Sequence, residues 1–133
     1  MNTDKKVVVF CSLNDDVMEF YDIQLNPLTK ISGPIPLDVR YAYDGKYVCF
    51  KNAYYGYLGM AGNSEFLYAI FHGTEIGAAR NSYILKYNWE GALLSIYETE
   101  KYLTTISTSP KNDVVYVSGY KDGEAVLYEM FLP

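Results

Sequence analysis

The chain has 133 residues, of which 50% are hydrophobic and 20% charged, a balance that favours one packed domain and excludes a disordered segment. Eleven Lys and Arg residues against 16 Asp and Glu residues give a net charge of −5, and the longest basic run is Lys5-Lys6. Nucleic-acid binding is therefore disfavoured. Fifteen tyrosines lift the aromatic content to 17%, which favours β-structure over a helical bundle.

In chain order, the first predicted strands are separated by the turn signals Asn14–Asp16 and Asn26-Pro27. They form a partial unit over residues 5–37. A linking hairpin follows over residues 38–53, because Asp44-Gly45 between apolar runs is a strong hairpin signal. The predicted strands of these two segments are 6–12, 17–25, 28–33, 38–43 and 46–52.

The remaining chain divides into a four-strand unit over residues 54–100 and a three-strand unit over residues 101–133. Residues 93–106 also fit a helical pattern, but their Thr, Tyr and Ile content fits alternation equally well. The predicted strands are 57–61, 65–71, 82–89, 92–98, 103–107, 113–119 and 125–132.

These units repeat along the chain. Residues 66–71 align with residues 114–119 at an offset of 48 and with residues 7–12 at an offset of 59. Repeats of roughly 45–60 residues with about four antiparallel strands are typical of propeller blades. We therefore predict an all-β fold, a partial β-propeller of about three four-stranded antiparallel blades with the outer two incomplete. A small β-sandwich of unrelated hairpins is the alternative.

The same segments resemble a known family. Residues 54–73, 82–91, 102–107 and 115–117 resemble the carboxy-terminal part of TolB-like six-bladed β-propeller proteins of Bacteroides-type bacteria. The resemblance covers residues 54–133 well and residues 1–53 loosely. It implies a location in the cell envelope or periplasm for full-length relatives.

The chain resembles about the last half of such a protein, as a truncated reading frame, a dissected domain or a naturally short relative would. The sequence as given shows no export signal, so we expect it to stay in the cytoplasm where it is made. It also contains no stretch of about 18 apolar residues, so membrane insertion is not expected.

Motifs that would carry chemistry are weak. Cys11 and Cys49 lie in apolar runs and are predicted to be buried free thiols, although a disulfide stays open. His72 is the sole histidine, so no Cys/His zinc set forms, and no GxSxG elbow accompanies it. It is expected to be a polar loop or capping residue. We predict no catalytic residue, no metal ligand and no cofactor.

Glycine and carboxylate patterns have structural explanations. Gly56, Gly59 and Gly62 lack the spacing of a phosphate loop, and close approach between strands explains them better. The pair Asp15-Asp16 lies in a turn signal. The predicted inner strands, 57–61 and 103–107, carry no carboxylate or histidine, which counts against a metal site in a propeller channel.

The loops expected on one face of the propeller provide the candidate ligand site, because binding residues concentrate on loops held by a rigid scaffold. We predict a non-catalytic binding or protein-interaction module for a protein or carbohydrate ligand. The alternative is a fragment of a propeller hydrolase or lyase whose active site needs the missing blades. The candidate residues are His72, Glu75, Arg80, Asn81, Tyr54, Tyr55 and Tyr120.

Incomplete outer blades would leave strand edges and apolar faces uncovered, which natural proteins rarely tolerate. We therefore expect a homo-oligomer, or a second propeller segment that completes the ring.

Overall fold

The computed structural model describes residues 1–50, 52–78, 81–110 and 113–133, and within these the regular structure is entirely β-strand. The all-β prediction is confirmed. The strands are β1 (Val7–Cys11), β2 (Val17–Asp22), β3 (Pro27–Ser32), β4 (Tyr41–Tyr43), β5 (Val48–Phe50), β6 (Tyr54–Gly62), β7 (Phe66–Glu75), β8 (Ser82–Asn88), β9 (Leu93–Thr99), β10 (Tyr102–Thr108), β11 (Val114–Lys121) and β12 (Glu124–Phe131).

The strands form four antiparallel sheets. We call β1-β2-β3 the first sheet, β6-β7-β8-β9 the central sheet and β10-β11-β12 the last sheet. The fourth is the two-stranded hairpin β4-β5. Residues 93–106, where a helix was the competing interpretation, contribute to the two strands β9 and β10. Every sheet is a meander of sequence neighbours, so each forms by local hairpins.

The hairpin β4-β5 turns through residues 44–47, with Gly45 and Lys46 at its centre, so β5 begins two residues later than the predicted strand 46–52. Gly45 adopts a φ of 90°, and the Asp44 carboxylate accepts the backbone N–H groups of Lys46 at 2.9 Å and Tyr47 at 2.7 Å. Aspartate bonds to nearby backbone and glycine tolerates positive φ, so the pair closes the turn. The hairpin leaves Tyr43 and Tyr47 exposed.

The middle strands β7 and β8 of the central sheet are buried on both faces. Along β7, Leu67, Ala69 and Phe71 belong to the hydrophobic cluster shared with the first sheet, whereas Tyr68 and Ile70 belong to the cluster shared with the last sheet. All five side chains are at most 2% exposed. Because neighbouring residues of a strand point to opposite faces, a strand covered on both sides becomes a continuous apolar run.

Two glycines mark where the sheets approach most closely. A Cβ atom at Gly56 would lie 1.9 Å from the Asp15 carbonyl oxygen, in the β1–β2 loop. A Cβ atom at Gly59 would lie 3.2 Å from the Thr104 carbonyl oxygen, in β10. Close backbone approach is therefore confirmed for Gly56 and Gly59, whereas a Cβ atom at Gly62, the third glycine of the prediction, would first meet the Trp89 ring, at 2.5 Å.

The outward faces of the two flanking sheets carry large apolar side chains in solvent. Phe10 on β1 is 53% exposed, and Leu127 and Phe131 on β12 are 74% and 69% exposed. No described residue of the chain covers them, so these faces are chemically suited to contact with another molecule.

The cysteine prediction is half wrong. Both thiols are free, but only Cys11 is partly buried, packed against the cluster between the first and central sheets. Burial raises the pKa of the Cys11 thiol. Cys49 is exposed, because β4-β5 is a two-stranded hairpin and its side chain finds no second layer.

Candidate functional site: the tyrosine end

Four tyrosines lie at the end of the sheets where β6 and β10 begin and β11 ends. The ring centres of Tyr55 and His72 lie 6.3 Å apart and those of His72 and Tyr102 4.8 Å apart, with each pair of rings roughly perpendicular. Tyr102 is the cross-strand partner of Tyr120. The backbone oxygen of Tyr54 accepts a hydrogen bond from the Asn14 amide at 2.9 Å. We call this surface the tyrosine end, defined by Tyr54, Tyr55, Tyr102 and Tyr120.

A cavity of about 470 Å³ opens at this end, on the side of the last sheet. Its volume falls within the range of small-molecule sites, roughly 300–1,000 Å³. The lining residues come from the β9–β10 connection, the β11–β12 turn and the adjoining strands. They are Glu100, Lys101, Tyr102, Tyr120, Lys121, Asp122 and Tyr128.

The side chains that line the cavity are charged groups interspersed with aromatic rings. The Lys101 ammonium lies 4.9 Å from the centre of the Tyr128 ring, a cation–π distance. Burial, followed by the neighbouring Tyr55, raises the pKa of the Tyr102 hydroxyl. A tyrosine hydroxyl both donates and accepts hydrogen bonds. The cavity thus offers flat apolar surface beside donors and acceptors of both charges.

His72 is not a loop residue, and this expectation is wrong. It lies inside β7, which continues to Glu75, and its side chain is 0% exposed. The strand extends because β6 pairs with it as far as Tyr54 opposite Glu75. No exposed surface is left on His72 for a ligand to contact in this conformation.

His72 instead ties the central sheet to the last sheet. Its Nε2–H donates to the Leu103 carbonyl oxygen at 2.9 Å, since a carbonyl can only accept. The Ser82 hydroxyl lies 3.1 Å from the same nitrogen and accepts the Leu103 N–H at 2.9 Å. Two side chains of the central sheet therefore hold both backbone groups of one residue in β10.

Burial lowers the pKa of His72, so this histidine makes stability depend on pH. Below about pH 6.5 the unfolded chain gains a proton that the folded chain resists, so stability falls as pH falls towards the native pKa. In that pH range, the free energy of unfolding of the wild-type chain is expected to fall by up to about 1.4 kcal/mol per pH unit more than that of His72→Gln.

Urea unfolding of both proteins between pH 5 and 7.5 measures this difference, since the carboxylates titrate in both. The proton resonances of the single imidazole give the native pKa directly. A native pKa of 6.5 or higher, or parallel pH profiles for the two proteins, would contradict the assignment.

The other predicted site residues lie near the same end with different surroundings. Glu75 is exposed at the end of β7, and Tyr54 and Tyr55 are half-buried. The Asn81 amide donates to the Glu98 carboxylate at 3.0 Å. Arg80 lies outside the described residues.

Sequence reasoning missed most of the cavity. The sequence places the loop Tyr120–Glu124, with Lys121 and Asp122, on the candidate face, but it does not single out Tyr102, Tyr128, Glu100 or Lys101. One signal was present in the sequence: Lys101-Tyr102 and Tyr120-Lys121 are matching pairs at the two ends of a predicted hairpin. Antiparallel pairing of those ends brings the two pairs together.

A second, more apolar cavity of about 270 Å³ lies at the opposite end, between the first and central sheets. Trp89 forms part of its wall, and the indole N–H donates to the Asn63 carbonyl oxygen at 3.1 Å. The other lining residues are Lys5, Val7, Phe20, Leu28, Thr29 and Glu90.

Carboxylates elsewhere serve local structure. Asp15 accepts the Asp16 N–H through its side chain at 2.8 Å, and the Asp16 carbonyl oxygen accepts the Gly33 N–H. Burial and the adjacent Asp15 raise the pKa of Asp16. In the described part of the chain, no three His, Cys, Asp or Glu residues lie close enough to hold a metal ion. The described residues likewise contain no helix suited to crossing a membrane.

Comparison with known protein sequences assigns no function, so the functional assignment rests on the geometry of the site. No family model matches the chain, and no curated protein matches its sequence.

Proposed function

We propose that this chain is a propeller-type, non-catalytic binding module whose ligand lies in the cavity at the tyrosine end. One hydrophobic cluster joins the first sheet to the central sheet and another joins the central sheet to the last sheet, and β6 and β10, the first strands of two consecutive units, lie next to each other. This supports successive blades with β6 and β10 innermost. The resemblance of residues 54–133 to TolB-like six-bladed propellers supports the same arrangement.

The proposed location of the ligand is based on one observation. Three tyrosines and four charged residues from two connections and the strands beside them surround a single cavity of about 470 Å³. Tyrosines give large contact area at low entropic cost, and connections at the ends of rigid sheets commonly carry binding sites.

We propose a short oligosaccharide as the ligand. Sugar rings combine apolar faces, which pack on tyrosine rings, with hydroxyl groups that need donors and acceptors at the edge. Tyr120, 56% exposed, supplies such a ring, while Glu100 and Lys101 supply an acceptor and a donor beside it. The opening is concave, which suits a small polar ligand better than a flat protein surface.

Binding without chemistry is favoured by the carboxylates of the cavity. Glu100 and Asp122, the two carboxylates that line it, are both exposed to solvent. The sole histidine is already committed to Leu103 and Ser82.

The test is binding of the labelled protein to an array of neutral and acidic oligosaccharides with short peptides as the second arm. We expect oligosaccharide binding that Tyr120→Ala reduces at least about tenfold, the scale of losing one well-placed aromatic contact. Tyr43→Ala is the matched control, because Tyr43 is 72% exposed in the β4-β5 hairpin.

Binding only to peptides, binding to neither class, or equal binding by the two variants would overturn the proposed ligand site. Release of a cleaved sugar during the assay would overturn the non-catalytic assignment.

A further inference from the structure

The outward faces of the two flanking sheets correspond to faces that are buried elsewhere in the same chain. In the repeat alignment, Tyr116 occupies the position of Tyr68, and Leu127 that of Ile84. Tyr68 and Ile84 are 0% and 1% exposed, whereas Tyr116 and Leu127 are 39% and 74% exposed. The last sheet therefore presents, uncovered, the face that the central sheet uses to pack against the last sheet.

Strand pairing confirms that this correspondence is in register. Tyr68 pairs with Lys86 across β7 and β8, and Tyr116 pairs with Glu129 across β11 and β12. Side chains on the two sheets therefore occupy equivalent positions on the same face.

The first sheet presents the complementary half. Val8 and Phe10 occupy the positions of Val115 and Val117, which are 0% exposed and pack into the cluster that contains Tyr68. Val8 is only partly buried and Phe10 is 53% exposed. One chain thus carries both sides of the part of this contact that β11 makes, each of them open, whereas the first sheet has no counterpart of β10.

Charge gives an independent argument. The Lys86 ammonium, nearly buried between the central and last sheets, lies 3.2 Å from the Asp113 carboxylate, just before β11. The equivalent of Lys86 on the last sheet is Glu129, and the equivalent of Asp113, just before β1, is Lys6. The open faces therefore carry the same ion pair with its charges exchanged, and a contact between them would pair Glu129 with Lys6.

We propose that a second copy of this chain covers these faces. The first sheet of each copy packs on the last sheet of the other, and β1 repeats the packing that β11 makes against the central sheet. Two unlike faces on one chain make a head-to-tail contact, and two such contacts related by a twofold axis close a ring. This rests on the stacking of repeats in the proposed function and not on the ligand.

Sedimentation equilibrium of the full chain over a range of concentrations tests the proposal. We expect twice the 15.1 kDa mass of one chain for the wild type. Leu127→Lys should give the monomer, while Leu25→Lys, at a 60% exposed position in the β2–β3 turn, should leave the dimer intact. Circular dichroism of each variant verifies that its β-structure is retained.

Substitutions in the exchanged ion pair of Glu129 and Lys6 test the proposed dimer contact more specifically. Glu129→Lys should weaken the dimer about tenfold by placing like charges opposite each other, and Lys6→Glu in the same chain should restore it. A monomeric wild type, a dimer unaffected by Leu127→Lys, or no recovery in the double variant would overturn the proposal. None of these outcomes alters the oligosaccharide test.

Discussion

Ile70→Ala and Phe71→Ala are each expected to lower the free energy of unfolding by about 2–5 kcal/mol, although the two residues are adjacent in one strand. Both side chains are 0% exposed, Ile70 towards the last sheet and Phe71 towards the first sheet. Each truncation leaves a cavity in a different cluster. A sheet with one solvent face would make only one of the two substitutions costly.

Urea unfolding at a fixed protein concentration, followed by circular dichroism, measures both losses. Val48→Ala is the control, since Val48 is 63% exposed in the hairpin, and it should cost less than about 0.5 kcal/mol. A loss near the control value for either Ile70→Ala or Phe71→Ala would show that one face of the central sheet is not packed.

Gly56→Ala is expected to destabilise the chain by about 3 kcal/mol or more, since it overpacks a contact between backbones. The added Cβ atom would lie 1.9 Å from the Asp15 carbonyl oxygen, and backbone cannot move aside as the end of a side chain does. The strain falls on two hydrogen bonds: Gly56 N–H to the Leu13 oxygen and Tyr57 N–H to the Ser12 oxygen.

Gly59→Ala is the matched control for this prediction. Its Cβ atom would lie 3.2 Å from the Thr104 carbonyl oxygen, a gap that a shift of a few tenths of an ångström relieves. We expect a loss below about 1 kcal/mol, part of it offset by the lower entropy of the unfolded chain. Equal losses for the two variants in urea unfolding would contradict the close contact between the β1–β2 loop and β6.

Strand positions could be predicted from the sequence because the signals are local. Turn residues such as Asp44-Gly45 and Asn26-Pro27 separate short apolar runs, and each sheet is a meander of neighbours. The repeat at an offset of 48 also places Tyr68 and Tyr116 at equivalent points, as the pairing registers show.

The surroundings of single side chains were harder to predict. His72 precedes a glycine, which suggests the end of a strand, but pairing with β6 extends β7 to Glu75. Cys49 lies in an apolar run, yet it is exposed in the two-stranded hairpin β4-β5. In both cases a neighbouring element, present or missing, decides burial, and periodicity along one strand does not contain that information.

The sequence predicts a candidate site on the loops at one end of the sheets, but it does not predict the cavity. Tyr120 and the loops beside it were expected on one face, whereas Tyr102 and Tyr128 enter the cavity through cross-strand pairing and the packing of Lys101. These contacts depend on exact register, which composition and turn signals leave open.

The central claim is that the tyrosine end binds the ligand, and amide chemical-shift mapping of the isotope-labelled chain tests it most directly. The titrant is the oligosaccharide that binds most strongly on the array. We predict that the largest shifts cluster at Tyr102, Tyr120 and Lys121, while the indole resonance of Trp89, at the opposite cavity, does not move. Shifts concentrated around Trp89 or on the outward sheet faces, with the tyrosine end unchanged, would contradict the account.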